Sequence, residues 1–321
     1  MKEITITDIE GIKVGHAQDM DAATGCTVVI GEKGLTAGVD VRGGAPGTRE
    51  TDLLDPVNLV EQIHAVLLTG GSSFGLDAAS GVMQYLEEKK IGFDVSVTRI
   101  PIVCGAVLFD LTIGEHSVRP DKDMGYQACL NANDLACAEG SVGAGTGATV
   151  GKILGMERCM KSGLGTYCVQ TGDLKIGAIV AVNCLGDVID PREGKTLAGV
   201  LDENKERCLS TEEIMIQQFA GRKMAFGGNT TIGIILTNGN LTKSAANKVA
   251  SMAHNGYGRT MRPAHSMFDG DTIFAAATGE VDTDVSVAGL LAARTMEHAV
   301  IRAVKKATPL CGLKSYSDVA L

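Results

Sequence analysis

The 321-residue chain has no tryptophan, and aromatic residues make up only 4% of it. Surfaces that stack nucleic-acid bases need more rings than this. Basic residues are outnumbered, 29 Lys and Arg against 38 Asp and Glu, for a net charge of −9. Without clustered cations the phosphate backbone has no electrostatic footprint, which excludes nucleic acid as a partner. No uninterrupted apolar run is long enough to cross a bilayer, so no membrane partner is expected. Residues 1–6 lack the apolar stretch of a secretion signal, and a soluble cytoplasmic protein is the expectation. The nine cysteines are scattered with no CxxC pair, and the six histidines show no HExxH spacing. Reduced, buried thiols and structural or surface histidines follow; neither a metal nor a cofactor is expected.

Glycine is plentiful, with 41 residues, and several apolar runs begin or end in glycine-rich loops. Residues 2–7, 11–16, 26–30 and 35–41 read as antiparallel strands, the last two joined by a turn at 31–34. Residues 63–69 and 176–183 read as buried strands, and so does 272–278. Helices are expected over about 76–90, 124–137, 241–254 and 284–306. Residues 190–228, with the charged stretch Asp202-Glu203-Asn204-Lys205-Glu206-Arg207, read as a long surface excursion. The economical architecture is a single α/β domain over 1–321, two sheets with helices outside.

Two glycine-rich segments invite nucleotide motifs, and both fail on context. Gly143, Gly145 and Ala148 fit G-x-G-x-x-A, but a helix precedes them instead of a strand. Gly151-Lys152 resembles the end of a P-loop, but the first glycine is missing and Ile153 replaces Ser or Thr. A loop that lets backbone approach a site is the better reading, with Gly145 and Thr146 as substrate-binding candidates. Arg42, in the loop 42–52, could bind a carboxylate. The stretch Gly227-Gly228-Asn229-Thr230-Thr231-Ile232-Gly233 runs into an apolar strand. Thr230 is either a β-branched strand starter or a nucleophile whose own amine becomes its base once the chain breaks before it.

Taken together and in order, several segments resemble the L-aminopeptidase/D-esterase and β-aminopeptidase family of self-processing hydrolases. They are Val41-Arg42-Gly43-Gly44-Ala45-Pro46-Gly47-Thr48, Leu68-Thr69-Gly70-Gly71-Ser72-Ser73-Phe74-Gly75-Leu76, Gly143-Ala144-Gly145-Thr146-Gly147, Gly163-Leu164-Gly165-Thr166, Asn229-Thr230-Thr231-Ile232-Gly233 and Phe268-Asp269-Gly270-Asp271-Thr272-Ile273-Phe274. The resemblance implies a four-layer αββα sandwich, shared with ornithine acetyltransferases. It implies one cut between Asn229 and Thr230, giving chains 1–229 and 230–321, and a homotetramer of such processed heterodimers.

The resemblance also places a nucleophile at Thr230 and an oxyanion-stabilising amide at Asn183. Asp269 and Asp271 fall where the family has a Ser and a Glu lining the nucleophile. Some members carry a Tyr where this chain has Gly151. The implied activity is hydrolysis of N-terminal aminoacyl (L-, D- or β-) peptides, amides or esters. The alternatives are an acyltransferase of the ornithine-acetyltransferase type and a non-catalytic ligand-binding protein that keeps the fold uncut. Thr231, one bond later, is the other candidate nucleophile.

Overall fold

The computed structural model describes residues 1–220 and 228–319. Its main strands are β1 (Lys2–Ile4), β2 (Ile12–Asp19), β3 (Thr24–Val41), β4 (Ile63–Thr69), β5 (Val103–Val107), β6 (Leu164–Thr171), β7 (Leu174–Ala181), β8 (Ile232–Gly239) and β9 (Thr272–Val281). The helices are α1 (Ala78–Glu88), α2 (Lys122–Leu130), α3 (Thr211–Ala220), α4 (Lys243–Thr260) and α5 (Val285–Lys306).

Among the described residues the strands pair in the order β1-β6-β7-β8-β9-β3-β4-β5, with β2 on the other edge of the first half of β3. The expected opening meander is therefore not formed. β1 pairs with β6, far along the chain. Residues 31–34 do not reverse direction either. The chain runs on through an irregularity, with Gly34 at φ +88°, into the second half of the same strand. The first half of β3 pairs with β2 and β4, and the second with β9. One long strand thus serves two sheets and lays one over the other.

The period-2 pattern of the strands fixes three apolar layers. Val29, Val66, Leu68 and Cys104 meet Ile179, Ile232, Ile234 and Phe274 between the sheets. The opposite faces carry Ala178, Val180, Ile235 and Ala275, covered by Val249 and Ala253 of α4 and Met296 and Val300 of α5. On the far side Val28, Ile30 and Leu67 are covered by Val82 of α1 and Ala128 of α2. Helices, sheet, sheet, helices: this is the four-layer αββα sandwich the resemblance implies.

Helix bounds shift at their ends. The expected helix at 124–137 stops at Leu130, and that at 241–254 runs on to Thr260, each opened by a side-chain cap, Asp121 and Thr242 respectively. Within 190–228 the chain forms the short strand Lys195–Ala198 and α3. Residues 221–227 lie outside the described residues.

Candidate active site

Three strand ends converge where the two sheets part. β7 and β8 are antiparallel, with Ala181 opposite Ile232. Continuing that ladder, the Thr230 N–H donates to the Asn183 carbonyl at 3.0 Å. β8 and β9 are parallel, with Ile232 beside Thr272. The loop before β9 therefore runs alongside Asn229 to Thr231. The Gly270 N–H donates to the Asn229 carbonyl at 3.2 Å, and the Thr272 N–H to the Thr231 carbonyl at 3.1 Å. Register alone sets Asn183, Asn229, Thr230, Asp269 and Asp271 in one cluster.

Alternation then separates the two threonines. Ile232, Ile234 and Leu236 point between the sheets, and Thr230 keeps that phase. It lines a cavity of about 270 Å³ together with Ala45, Pro46, Gly47, Ser72, Ser73, Val107, Leu108, Phe109, Gly228, Asn229 and Phe268. Its Oγ1 donates to the Asn229 carbonyl oxygen, so that this oxygen accepts from both sides. Thr231 points the other way: it is fully buried, and its hydroxyl meets the Met261 sulfur at 3.5 Å.

Asn183 is fully buried, and its side-chain oxygen accepts from the Thr149 N–H at 3.0 Å and from Lys152 Nζ at 2.8 Å. That leaves Nδ2 as its donor, with one hydrogen on the Phe109 carbonyl at 2.9 Å. Lys152 Nζ also reaches the Asn183 carbonyl at 2.9 Å, the same oxygen that holds the Thr230 amide. Burial lowers the Lys152 pKa to about 8, because a desolvated ammonium loses its hydration. Lys152 is a site residue absent from the sequence expectations; its signal is a lysine set in the apolar run Val150-Gly151-Lys152-Ile153-Leu154.

The two aspartates are fully buried. Asp269 accepts from the Leu185 N–H at 3.1 Å and from the Ser266 hydroxyl. Burial, and then the neighbouring Asp271, raise its pKa to about 6. Asp271 accepts from the Thr231 N–H at 3.0 Å, and from both the backbone N–H and ring Nδ1 of His265 at 2.9 Å. The carboxylates thus tie down the backbone at Leu185, two residues past Asn183, and at Thr231, next to Thr230.

Three residues expected to bind substrate do not line this cavity. Arg42 has its guanidinium on Asp40 and on the carbonyl and hydroxyl of Ser251. Gly145 and Thr146 are buried: the Thr146 hydroxyl bonds the Gly143 carbonyl at 2.8 Å, and the Gly145 carbonyl accepts from the buried Lys161 at 3.0 Å. The glycine loop is packing, drawn tight enough that a Cβ on Gly145 would fall 2.1 Å from the Leu164 nitrogen. The loops 42–52 and 70–75 do reach the cavity, through Ala45 to Gly47 and through Ser72 and Ser73. Asp110 shapes the second, accepting from the Gly71 N–H and the Thr24 hydroxyl, each at 2.7 Å. At Gly151, φ is +72° and a Cβ would lie 2.0 Å from Gly199 and Val200 backbone atoms, so no ring fits there. Among the described residues no cluster of metal-ligating side chains is present, and no helix is long and apolar enough to cross a membrane.

The layered fold matches the L-aminopeptidase D-Ala-esterase/amidase of Ochrobactrum anthropi, with a TM-score of 0.74 at 18% identity over 98% of this chain and 93% of that one. That protein is described as a variant of the N-terminal-nucleophile hydrolase fold, and the sandwich here is of the same class. Residues 5–317 match peptidase family S58, and the chain belongs to that family. It is a hydrolase of the aminopeptidase/amidase type. Relatives include an uncharacterized aminopeptidase of Mycobacterium tuberculosis, 41% identical over 98% of this chain and 97% of its own length. A 6-aminohexanoate-oligomer endohydrolase of Kocuria is 30% identical over 93% and 85%.

Proposed function

We propose that the protein cuts itself between Asn229 and Thr230, and that the Thr230 so freed is the nucleophile of an amide, peptide and ester hydrolase. One observation carries the reading: Thr230 is the residue at which the cavity, the Asn183–Lys152 pair and a doubly hydrogen-bonded preceding carbonyl coincide. In the whole chain Thr230 Oγ1 attacks the Asn229 carbonyl carbon. The C–N bond breaks as the acyl group moves to oxygen, and water hydrolyses the ester to an Asn229 carboxylate and a Thr230 amine. The Gly270 N–H is a donor to the oxygen on which charge develops.

The freed amine, with an ordinary pKa of about 8, is the base for its own hydroxyl in later turnovers. The Thr230 hydroxyl oxygen attacks a substrate carbonyl, the leaving amine or alcohol departs with the proton, and water releases the acid from the acyl ester. Asn183 keeps one amide hydrogen beyond the one on the Phe109 carbonyl, and that N–H is the donor to the oxyanion, a contribution of about 3 kcal/mol in comparable sites. During self-cleavage no free Thr230 amine exists. Lys152, with a pKa lowered to about 8, is then the proton acceptor of the site, and one water carries the Thr230 hydroxyl proton to it. Asp269 and Asp271 act as positioning residues. Thr231 is disfavoured as nucleophile, because its hydroxyl is turned to Met261. The reading includes a cytoplasmic homotetramer of processed pairs, which the family resemblance supports.

The test is the intact mass of the denatured protein, wild type beside Thr230→Ala. Cleavage after Asn229 in wild type alone is the expected result. A wild type that stays whole at every age and pH, yet hydrolyses amides, overturns the self-processing step.

A further inference from the structure

We propose that Lys161 is a positioning residue for the hydrolysis: through a single peptide group it aims the Asn183 side-chain amide at the oxyanion. The proposal rests on Thr230 as nucleophile and Asn183 as oxyanion donor. Lys161 itself is not among the residues that line the cavity.

Lys161 is fully buried, and its Nζ donates to three backbone carbonyls, those of Gly145 at 3.0 Å, Ala148 at 3.1 Å and Ser162. An amine is costly to take out of water, and a methionine would fill the same space without that cost. Burial lowers the Lys161 pKa to about 7, and the neutral amine still has N–H donors for these oxygens.

The Ala148 carbonyl and the Thr149 N–H belong to one planar trans peptide group, so they point in opposite directions and move together. The carbonyl end accepts from Lys161 and, at 2.9 Å, from the Ser162 N–H. The N–H end donates to Asn183 Oδ1 at 3.0 Å. Thr149 also stands opposite Lys161 in the short antiparallel pair Thr149–Val150 and Met160–Lys161. The Gly163 carbonyl accepts from the Val182 N–H at 3.0 Å, which joins the same segment to the residue before Asn183.

The Asn183 carboxamide is planar too. Thr149 and Lys152 hold its oxygen, and the Phe109 carbonyl holds one of its hydrogens. Those contacts fix the direction of the remaining hydrogen, the one left for the oxyanion. Without the Lys161 amine, three carbonyl oxygens converge on a side chain that offers them no donor, and the Ala148–Thr149 group shifts. The shift carries the Thr149 N–H off Asn183, and a misplaced donor loses much of its effect on the transition state.

The experiment compares wild type with Lys161→Met, each checked by intact mass for cleavage after Asn229 and by thermal unfolding for a folded state. Kinetics use whichever of a set of L-, D- and β-aminoacyl p-nitroanilides wild type hydrolyses fastest. Inhibition uses the matching amino aldehyde and amino alcohol. With the aldehyde, the Thr230 oxygen adds to the carbonyl carbon, the hydroxyl proton passes to the Thr230 amine, and the negative charge rests on the former carbonyl oxygen. The alcohol forms no such adduct. The expected result is kcat lowered by about tenfold or more with KM within about twofold of wild type. Aldehyde inhibition should weaken by about tenfold or more while alcohol inhibition holds. Lys161→Gln, which keeps an N–H donor pair on a shorter side chain, covers the case in which the methionine variant fails to fold, and should show the same split at smaller size. A folded, cleaved variant with wild-type kcat, or with equal losses for aldehyde and alcohol, overturns the proposal and leaves the Thr230 reading standing. A wild type that hydrolyses none of the anilides overturns both.

Discussion

Two stretches of this chain are nearly alike in composition and opposite in use. Gly143-Ala144-Gly145-Thr146-Gly147 and Gly227-Gly228-Asn229-Thr230-Thr231-Ile232-Gly233 are both glycine and threonine set against apolar strands. The first is a short 3-10 turn, Gly143–Gly145, packed into the interior, with the Thr146 hydroxyl closing its own turn. The second opens β8, and its Thr230 stands at a cavity. The difference lies in what each backbone is paired with. Thr230 sits between an antiparallel neighbour that delivers Asn183 and a parallel neighbour that delivers Asp269 and Asp271. Among the described residues Thr146 lies in no strand ladder. Glycine near threonine says that backbone comes close to something; strand order says to what.

The sharpest way to break that contrast is to remove each hydroxyl. Thr230→Ala should abolish both cleavage after Asn229, read by intact mass, and amide hydrolysis, read with an anilide substrate. Lys152→Met should slow self-cleavage by a hundredfold or more, the usual range for losing a proton acceptor. With the Lys152 pKa at about 8, the neutral amine grows from about a tenth at pH 7 to about nine tenths at pH 9. Cleavage of freshly made wild-type chain should therefore accelerate over that interval, and the acceleration should vanish in Lys152→Met. Gly270→Ala should slow cleavage by about a hundredfold, since misplacement by an ångström at a reacting centre has effects of that size. Its Cβ would fall 2.7 Å from Thr230 Oγ1 and 2.6 Å from the Ala45 carbonyl.

Thr146→Ala, on the other side of the comparison, should leave cleavage intact and reduce unfolding free energy by about 1 kcal/mol in a denaturant titration, the loss of one buried hydrogen bond. The smallest effect is expected for Thr231→Val. It removes only a hydroxyl–sulfur contact, and cleavage should stay within about twofold of wild type.

The sequence made much of this frame readable. The apolar runs at 63–69, 176–183 and 232–236 are strands because unbroken β-branched and aliphatic residues suit strands buried on both faces. The ordered motifs also brought Asn183, Thr230, Asp269 and Asp271 together before any coordinates. The long β3 was not readable, because Gly31-Glu32-Lys33-Gly34 has the composition of a hairpin turn and only the change of partner strand shows that the chain goes straight on. That Arg42, Gly145 and Thr146 stand away from the cavity was not readable for a related reason. Their chemistry suits a ligand equally well, and only packing shows that Asp40, Ser251 and the chain's own backbone take that place. The apolar run around Lys152 marks the lysine as buried, but only the fold brings it to Asn183.

Strand order has one more consequence. Residues 230–321 contribute β8 and β9, and these lie between β7 and β3 of residues 1–229. A single nick after Asn229 would leave two polypeptides interleaved like the fingers of clasped hands, with a seam on each side. Neither could withdraw without stripping two full ladders of backbone hydrogen bonds and opening the apolar layers on both faces. Such a nicked molecule would co-migrate through every native separation and come apart only on denaturation. A pair made as separate polypeptides would have to assemble its central sheet from scratch, which is reason enough for the two halves to be synthesised as one.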